Sequence, residues 1–387
     1  MNANLGTGAL FQQGGVTLLN GVAGATTVSI NGGTLRLGSS DRLSDVANLY
    51  VNAGTILDIQ GFSDRVGAVE ITGGALNGTG LLTGGRFFLS GATINANLGT
   101  GNLSVEGSRG ATILNGSSAS TQVSVWDADS SHGIVAGNLV LGGSNRLADS
   151  AAVTVGTGGV LNLQGFNDTV GTLLLRGALN GTGTLTAGSY SLSNGTVNAN
   201  LGTGLLINIG GTSTLNGTSA ASTAWVQAGT LHLGASERLS DAAMLSVSSG
   251  ATLDLQGYVD AGLGGLLLAG DAGDGPQAAL LPTGTGTLTA AEYYLDGALI
   301  NANLGAGSLF NTGGVSTLNG TSAAGIVTVQ AGTLRLGQSD RLADTAMLSV
   351  SSGATLDLMG NDETVALAVI NGTLNTNPPA VSAVTPP

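Results

Sequence analysis

The chain contains no cysteine and no lysine, and all ten of its basic residues are arginine. Without cysteine it has no disulfide framework, and an exported chain of this kind crosses membranes unfolded without mispairing. The formal net charge of −13 argues against the basic surfaces that bind nucleic acids, polyanionic glycans and acidic membranes. No apolar run approaches the roughly 18 residues of a membrane helix. We therefore expect no nucleic-acid partner, and membrane contact only through parts outside this chain.

Proline, aromatic and charged residues are scarce. Aromatic residues make up 3% and charged residues 9% of the chain, whereas about a quarter of an average globular domain is charged. The core must therefore be narrow and filled with small aliphatic side chains. The six prolines all stand outside the repeated segments, at Pro276, Pro282, Pro378, Pro379, Pro386 and Pro387. Because proline cannot donate to a β-ladder, this placement indicates a continuous sheet within the repeats.

A 29-residue segment organises the chain. Residues 33–61 read GTLRLGSSDRLSDVANLYVNAGTILDIQG, and gap-free copies follow at 137–165, 229–257 and 332–360. The motif NANLG recurs with them, so the copies span 2–94, 95–197, 198–300 and, incompletely, 301–375. Such self-similarity is the sequence signature of stacked structural units. We expect a single repeat domain over 1–375, a Pro-rich tail or linker over 376–387, and, because the first motif starts at Asn2, a fragment of a longer protein.

The pattern of apolar and polar residues within each copy predicts short strands. Leucines alternate with polar residues, as in Leu35-Arg36-Leu37, which is the period of a half-buried strand. Asn-Gly pairs supply residues that tolerate positive φ at sharp corners, among them six that begin at Asn20, Asn77, Asn115, Asn180, Asn216 and Asn319. Landmark steps near 19–21 residues favour a right-handed parallel β-helix of about 19 turns, roughly 90 Å long at about 4.8 Å per turn. An antiparallel barrel or propeller explains less well the two insertions, near 126–133 and 269–282, which we expect to bulge from corners.

The recurrent pattern resembles a known repeat. NANLG, LNG, AGTLRLG, SDRLAD and GATLDL succeed one another as in the passenger-associated, autotransporter-type β-strand repeat of large adhesins exported by Gram-negative bacteria. The resemblance covers about residues 2–375. It implies secretion, a β-helical stalk, and adhesion, biofilm formation or display at the outer cell surface or outside the cell. It thereby predicts a structural stalk that presents or spaces adhesive parts, with a glycan or protein of a host or bacterial surface as partner.

One inserted loop is the candidate partner-binding site. Trp126, Asp127, Asp129 and His132 crowd together there, and function concentrates on loops that a rigid scaffold carries. DxDxS resembles the start of a calcium loop, but the glycine and the distal glutamate of such a loop are wrongly placed, so a solvated corner is the competing interpretation. The loop with Asp271 and Asp274 is similar and weaker. Whether calcium binds either loop stays open, and no cofactor or metal is predicted.

The repeated polar residues predict structure, not chemistry. The segment 41–45 (DRLSD) and its three counterparts favour a turn in which Arg pairs with a carboxylate or with carbonyls of the next turn. A second set stands in one outward column, at Asp58, Asn162, Asp254 and Asp357. Its members lie about five turns, or roughly 24 Å, apart, whereas acid–base glycoside chemistry needs two carboxyls within roughly 5–10 Å. We predict no catalytic residue and no enzyme.

Three further hypotheses stay open. A polysaccharide-active or polysaccharide-binding β-helix is the alternative to a stalk. An ice- or surface-binding solenoid is the least favoured, because the outward threonines do not recur at one turn spacing. Uncapped terminal turns expose unpaired edges, which predicts end-to-end self-association of the isolated chain.

Overall fold

The structure is a computed structural model that describes residues 1–127, 135–270, 277–281 and 286–376. All regular secondary structure in these residues is β-strand. The chain divides into two compact units, one of Met1–Tyr190 with Asn194–Gly202, the other of Ser191–Ser193 with Thr203–Pro387. Each unit is described by itself, and the single repeat domain expected over 1–375 stays a prediction.

The described part of the first unit contains 22 strands, one of which, β20, has its last three residues assigned to the second unit. They are β1 (Ala9–Leu19), β2 (Thr27–Leu37), β3 (Asn48–Val51), β4 (Ile56–Asp58), β5 (Ser63–Val66), β6 (Ala68–Thr72), β7 (Ala75–Asn77), β8 (Leu81–Gly84), β9 (Arg86–Ser90), β10 (Thr93–Ile94), β11 (Asn97–Leu98), β12 (Asn102–Glu106), β13 (Thr112–Leu114), β14 (Gln122–Val125), β15 (Asn138–Leu141), β16 (Ala152–Val155), β17 (Val160–Asn162), β18 (Asp168–Leu175), β19 (Ala178–Asn180), β20 (Thr184–Ser193), β21 (Thr196–Val197) and β22 (Asn200–Leu201).

The described part of the second unit contains the remaining strands. They are β23 (Leu205–Gly210), β24 (Thr212–Leu215), β25 (Thr223–Val226), β26 (Thr230–Leu233), β27 (Met244–Ser248), β28 (Thr252–Asp254), β29 (Val259–Leu263), β30 (Gly265–Ala269), β31 (Ala278–Leu281), β32 (Thr287–Ala290), β33 (Glu292–Asp296), β34 (Ala298–Ile300), β35 (Asn303–Leu304), β36 (Ser308–Gly313), β37 (Val315–Leu318), β38 (Ile326–Val329), β39 (Thr333–Leu336), β40 (Met347–Val350), β41 (Thr355–Asp357), β42 (Leu367–Ile370) and β43 (Thr373–Asn375).

Parallel ladders run through each unit. In the first, face A contains β2, β3, β6, β9, β12, β14, β16 and β18 in register, and face B contains β2, β4, β7, β10, β13, β15, β17 and β19. A short third ladder joins β5, β8 and β11. The second unit repeats the arrangement, with β29, β32 and β35 as its third ladder. The parallel β-helix is therefore confirmed, with about 19 turns; its right-handedness stays a prediction.

Aliphatic side chains stack between the ladders. On face B, Leu57 pairs in register with Leu76, and Leu76 with Ile94, and all three are 0% exposed. The side chains on either side of Leu57, Ile56 and Asp58, point the other way and are partly exposed. Removing one such leucine from water is worth about 1.5–3 kcal/mol. The alternation recurs through most of the described strands, so it is what holds the stack together.

The core is less purely aliphatic than the composition suggested. Its largest fully buried side chains are Tyr190, Tyr293 and Phe87. The hydroxyl of Tyr190 donates to the Leu185 carbonyl at 3.0 Å and accepts from the Ala187 N–H at 2.8 Å. The hydroxyl of Tyr293 makes the same pair of bonds. These rings occupy equivalent positions, each seven residues before the end of its copy.

The insertions leave the ladders beside them in place. β14 pairs with β16 across the first insertion in the same parallel register as the turns around it. β28 pairs with β31 next to the second. Residues 128–134, 271–276 and 282–285, within or beside these insertions, lie outside the described residues, as do all six prolines and the tail after residue 376.

Candidate functional site

The repeated DRL segment forms one corner, here called the arginine corner, four times. Its first residue, Asp41 in copy one, takes a positive φ of 56°, a conformation that Asp and Asn tolerate better than most residues. This turn directs the next two backbone N–H groups, those of Arg42 and Leu43, at the Oδ2 of Asp64, at 2.7 and 3.1 Å. Asp64 lies one turn further along the chain, so its carboxylate ties two turns together.

The arginine side chain ties in a third turn. Arg42 donates through Nε to the carbonyl of Ser40 at 2.9 Å and through Nη1 to the carbonyl of Asn20, on the preceding turn, at 2.7 Å. The same bonds recur at Arg146, Arg238 and Arg341, with Asp168, Asp260 and Glu363 as the acceptors of the backbone N–H groups. The corner therefore links three successive turns through hydrogen bonds. Its carbonyl partner belongs to the preceding turn, not to the next turn as expected.

The carboxylate of the corner is the residue that sequence reasoning missed. Asp64 is 3% exposed, and burial raises its pKa to about 6, against the hydrogen bonds from Arg42 and Leu43. Burial likewise raises the pKa of Asp260 to about 6 and raises the pKa values of Asp168 and Glu363. The available signal was an acidic residue 22 positions after each repeated Arg.

These six Asn-Gly pairs only partly have the role expected of them. None of their asparagines has a positive φ, and of their glycines Gly78 and Gly181 do, whereas Asn194, in a further Asn-Gly pair, has a φ of 60°. The asparagine side chains instead stack from turn to turn: Asn95 donates to Asn77 and accepts from Asn115, each at 2.7 Å. Equivalent bonds join Asn20 to Asn2, Asn198 to Asn180 and Asn319 to Asn301. Among the described non-glycine residues, the positive φ values fall on the first residue of each arginine corner and on Gln60, Gln164, Asn194, Ala242, Gln256 and Met359.

Three residues of the outward column, Asp58, Asp254 and Asp357, each pair with an Arg or His side chain of the neighbouring turn. Arg36 Nε lies 2.8 Å from Asp58 Oδ2, and Arg335 Nε lies 3.5 Å from Asp357 Oδ2. At the equivalent place His232 Nδ1 lies 3.1 Å from Asp254 Oδ2. Each pair links one turn to the next.

A groove lies on the outer surface of face A in the first unit. Its cavity volume is about 480 Å³, within the size range of small-molecule sites. Tyr50, Glu70 and Phe88 stand in one register column on the successive strands β3, β6 and β9. Small side chains at Ala68 and Ser104 lie among the large ones and leave the space open. We call this cavity the aromatic groove.

Trp126 closes one side of the aromatic groove. Its ring meets that of Phe88 edge-on, with centroids 5.4 Å apart and planes at 72°. Tyr50, Phe88 and Trp126 are each partly exposed. In an edge-to-face pair the edge of one ring covers one face of the other, and the remaining ring faces are not used by the pair. The groove therefore presents aromatic surfaces in a chain that has few aromatic residues.

Two charged side chains line the aromatic groove. Glu70 lies between Tyr50 and Phe88 in the column. Arg86 lies two residues before Phe88, on the same face of β9. Among the described residues, neither the Glu70 carboxylate nor the Arg86 guanidinium has a side-chain hydrogen bond or an ion pair. Six of the ten arginines, by contrast, are held in the corners or in pairs with Asp58 and Asp357.

The predicted partner-binding loop is described only at its start. Trp126 belongs to the aromatic groove. The carboxylate of Asp127 accepts from the backbone N–H of Thr157 at 2.6 Å, a bond to the next turn. Asp129, His132, Asp271 and Asp274 lie outside the described residues. In the part of the chain that the structure does describe, no three acidic or histidine side chains cluster so that they could hold a metal ion.

In the last described turn, strand β42 is exposed to solvent. All four residues of β42 are exposed, including Leu367 at 54% and Val369 at 46%. End-to-end self-association stays a prediction.

No protein family, no curated protein and no solved structure matches this chain. None of the described residues form a helix with the length and hydropathy needed to cross a membrane. The resemblance to the autotransporter-type repeat and the outer-surface location therefore stay predictions that rest on the repeated motifs.

Proposed function

We propose that the chain is a structural stalk segment of a Gram-negative exported or surface protein, in which it presents or spaces adhesive parts. The observation that carries this proposal is the arginine corner, which recurs four times with the same bonds across three turns. Because these recurrent polar residues form hydrogen bonds between successive turns, they stiffen the stack along its length. Stiffness is the physical property that a stalk needs.

The proposal is tested on cells and on the purified chain. Antibodies against the chain are expected to label intact cells of the source bacterium as strongly as permeabilised ones, with a periplasmic protein as the control. Electron microscopy of the purified chain is expected to show a rod of roughly 90 Å, from about 4.8 Å per turn. Label that appears only after permeabilisation, or a globular particle, would contradict a surface stalk.

The aromatic groove favours one second candidate, a polysaccharide-binding role. Its lining contains one carboxyl group, that of Glu70, whereas acid–base hydrolysis of a glycosidic bond uses two. Binding without cleavage is therefore the form of this alternative that fits the groove. A fall in the viscosity of a polysaccharide solution on addition of the chain would favour an enzyme instead.

A further inference from the structure

We propose that the aromatic groove is a binding site for a neutral oligosaccharide, with Tyr50, Phe88 and Trp126 as stacking surfaces and Glu70 and Arg86 as hydrogen-bonding groups. This goes beyond a stalk, since it gives the segment a ligand of its own. It uses the proposed surface location only as the source of that ligand, and a purified chain tests it independently.

The rings supply the apolar half of the site. Successive strands of a sheet lie about 4.8 Å apart, so Tyr50 and Phe88, which flank the strand of Glu70, are about 10 Å apart. Flat rings at this interval match an extended ligand made of flat units joined end to end. The ring of Trp126, inclined by 72° to that of Phe88, adds a second aromatic surface beside it. The carbon-bearing faces of sugar rings pack on such surfaces.

The aromatic residues are not placed at random. Outward positions of face A hold six of the thirteen aromatic residues of the chain: Phe11, Tyr50 and Phe88 in the first unit, and Trp225, Tyr294 and Phe310 in the second. These outward rings do not fill the core, because the inward-pointing residues of the same strands are buried independently of them. Around Tyr50, Phe88 and Trp126 the described residues also form a cavity whose lining contains charged groups.

The free charged groups decide between a sugar and an apolar partner. A lipid hydrocarbon chain seated in the groove would bury Glu70 and Arg86 without hydrogen bonds, which costs far more than leaving them in water. Sugar hydroxyls both donate and accept, and so satisfy the carboxylate and the guanidinium together. Since these two charges cancel and the chain carries −13 overall, a neutral glycan fits better than a polyanion.

Tryptophan fluorescence gives a direct readout. The chain has two tryptophans, and Trp225 lies outside the groove, where its Nε1 donates to Ser248 Oγ at 2.8 Å. The variant Trp225→Phe therefore leaves Trp126 as the only reporter. A panel of neutral oligosaccharides (malto-, cello-, laminari-, manno- and chito-hexaose) is titrated against this full-length variant. At least one is expected to change the Trp126 emission saturably.

Matched variants locate the binding. Phe88→Ala and Glu70→Gln, each in the Trp225→Phe background, are expected to weaken binding at least about tenfold, or about 1.4 kcal/mol. Tyr294→Ala removes a ring that stacks on Phe310 in the second unit and is expected to leave binding unchanged. All four exchanged side chains are outward, so circular dichroism and the unfolding midpoint verify that each variant is folded.

Three outcomes overturn the proposal. One is that no oligosaccharide in the panel changes the emission. A second is binding that survives Phe88→Ala with its affinity intact. The third is a groove that takes up the apolar dye ANS, in a manner abolished by Phe88→Ala, but no sugar, which would assign it to an apolar partner. None of these results bears on surface labelling of cells, so failure of the site and failure of the stalk are separable.

Discussion

The arginine corner and the aromatic groove are built from the same repeat but are distributed differently along the chain. The corner is present in all four copies, with Arg42, Arg146, Arg238 and Arg341 in the same bonds. Tyr50 of the groove, in contrast, is replaced by Thr154, Ser246 and Ser349 at the matching positions of the other copies. A residue that every copy keeps serves the stacking of turns. A residue that one copy alone carries is free to serve a ligand.

Removing the corner carboxylate is expected to have the largest effect. Asp64→Ala leaves the buried N–H of Leu43 and the part-buried N–H of Arg42 without their acceptor. At about 1–3 kcal/mol for each unsatisfied group, the free energy of unfolding should fall by about 2–4 kcal/mol, measured by urea denaturation. Asp45→Ala, an exposed carboxylate of the same segment, is the control and should change it by less than about 0.5 kcal/mol. Equal effects of the two variants would remove the distinction between corner and surface.

Protonation of the Asp64 carboxyl is expected to have the next largest effect on the free energy of unfolding. Burial raises the pKa of Asp64 from 3.8 to about 6 in the folded state, so between these values the folded chain holds a proton that the unfolded chain has released. The stabilisation is complete below pH about 4 and is lost as pH rises through about 6. Wild type should therefore gain up to about 2 kcal/mol relative to Asp64→Asn as pH falls from 7 to 4.

The Asp64→Asn variant is the control for that experiment, since it keeps an acceptor oxygen but does not titrate. Urea midpoints of both proteins, measured at several pH values in one buffer series, isolate the contribution of Asp64 from those of Asp168, Asp260 and Glu363. A difference between the two proteins that is flat with pH, or that grows as pH rises, would show that the carboxyl is not held in its protonated form.

The asparagine ladder should give a smaller loss. Asn95→Ala breaks the bonds to Asn77 and Asn115, and because Asn95 is exposed water replaces part of them. The expected cost is about 1 kcal/mol. Asn102→Ala, at the exposed start of β12, has no ladder partner in the described residues and should be near neutral. A loss no greater than that of this control would mean that the stacking of asparagines follows from the turns and does not support them.

The sequence allowed the parallel β-helix to be predicted because its determinants are local and repeated. The alternation around Leu35 and Leu57 gives the strands, and the recurrence of the 29-residue segment without gaps gives the stacking. The Asp64 bond was not predictable in the same way, because its two partners are separated by 22 residues and the acid differs in identity at Glu363.

The groove was only partly predictable. The loop containing Trp126 could be singled out, because its composition departs from that of the other copies. Its contact with Phe88 could not, because Phe88 lies 38 residues earlier and reaches Trp126 only through the register of β9, β12 and β14. A site that crosses several turns leaves no contiguous motif in the sequence.

The smallest effect is expected at an ion pair that two copies share. Arg36 is bonded to Asp58 but its side chain is 43% exposed, so Arg36→Ala should cost at most about 0.5 kcal/mol, and less at high salt. Arg42→Ala should cost more, since it strips the Asn20 carbonyl of its donor and its bonds to neutral carbonyls are less sensitive to screening. The unfolding free energies of both variants in 0.05 and 1 M NaCl measure this. An equal loss of unfolding free energy in Arg36→Ala and Arg42→Ala would contradict this. It would show that a residue present in only some copies can be required for stability, and the groove residues of the first copy could then be structural as well.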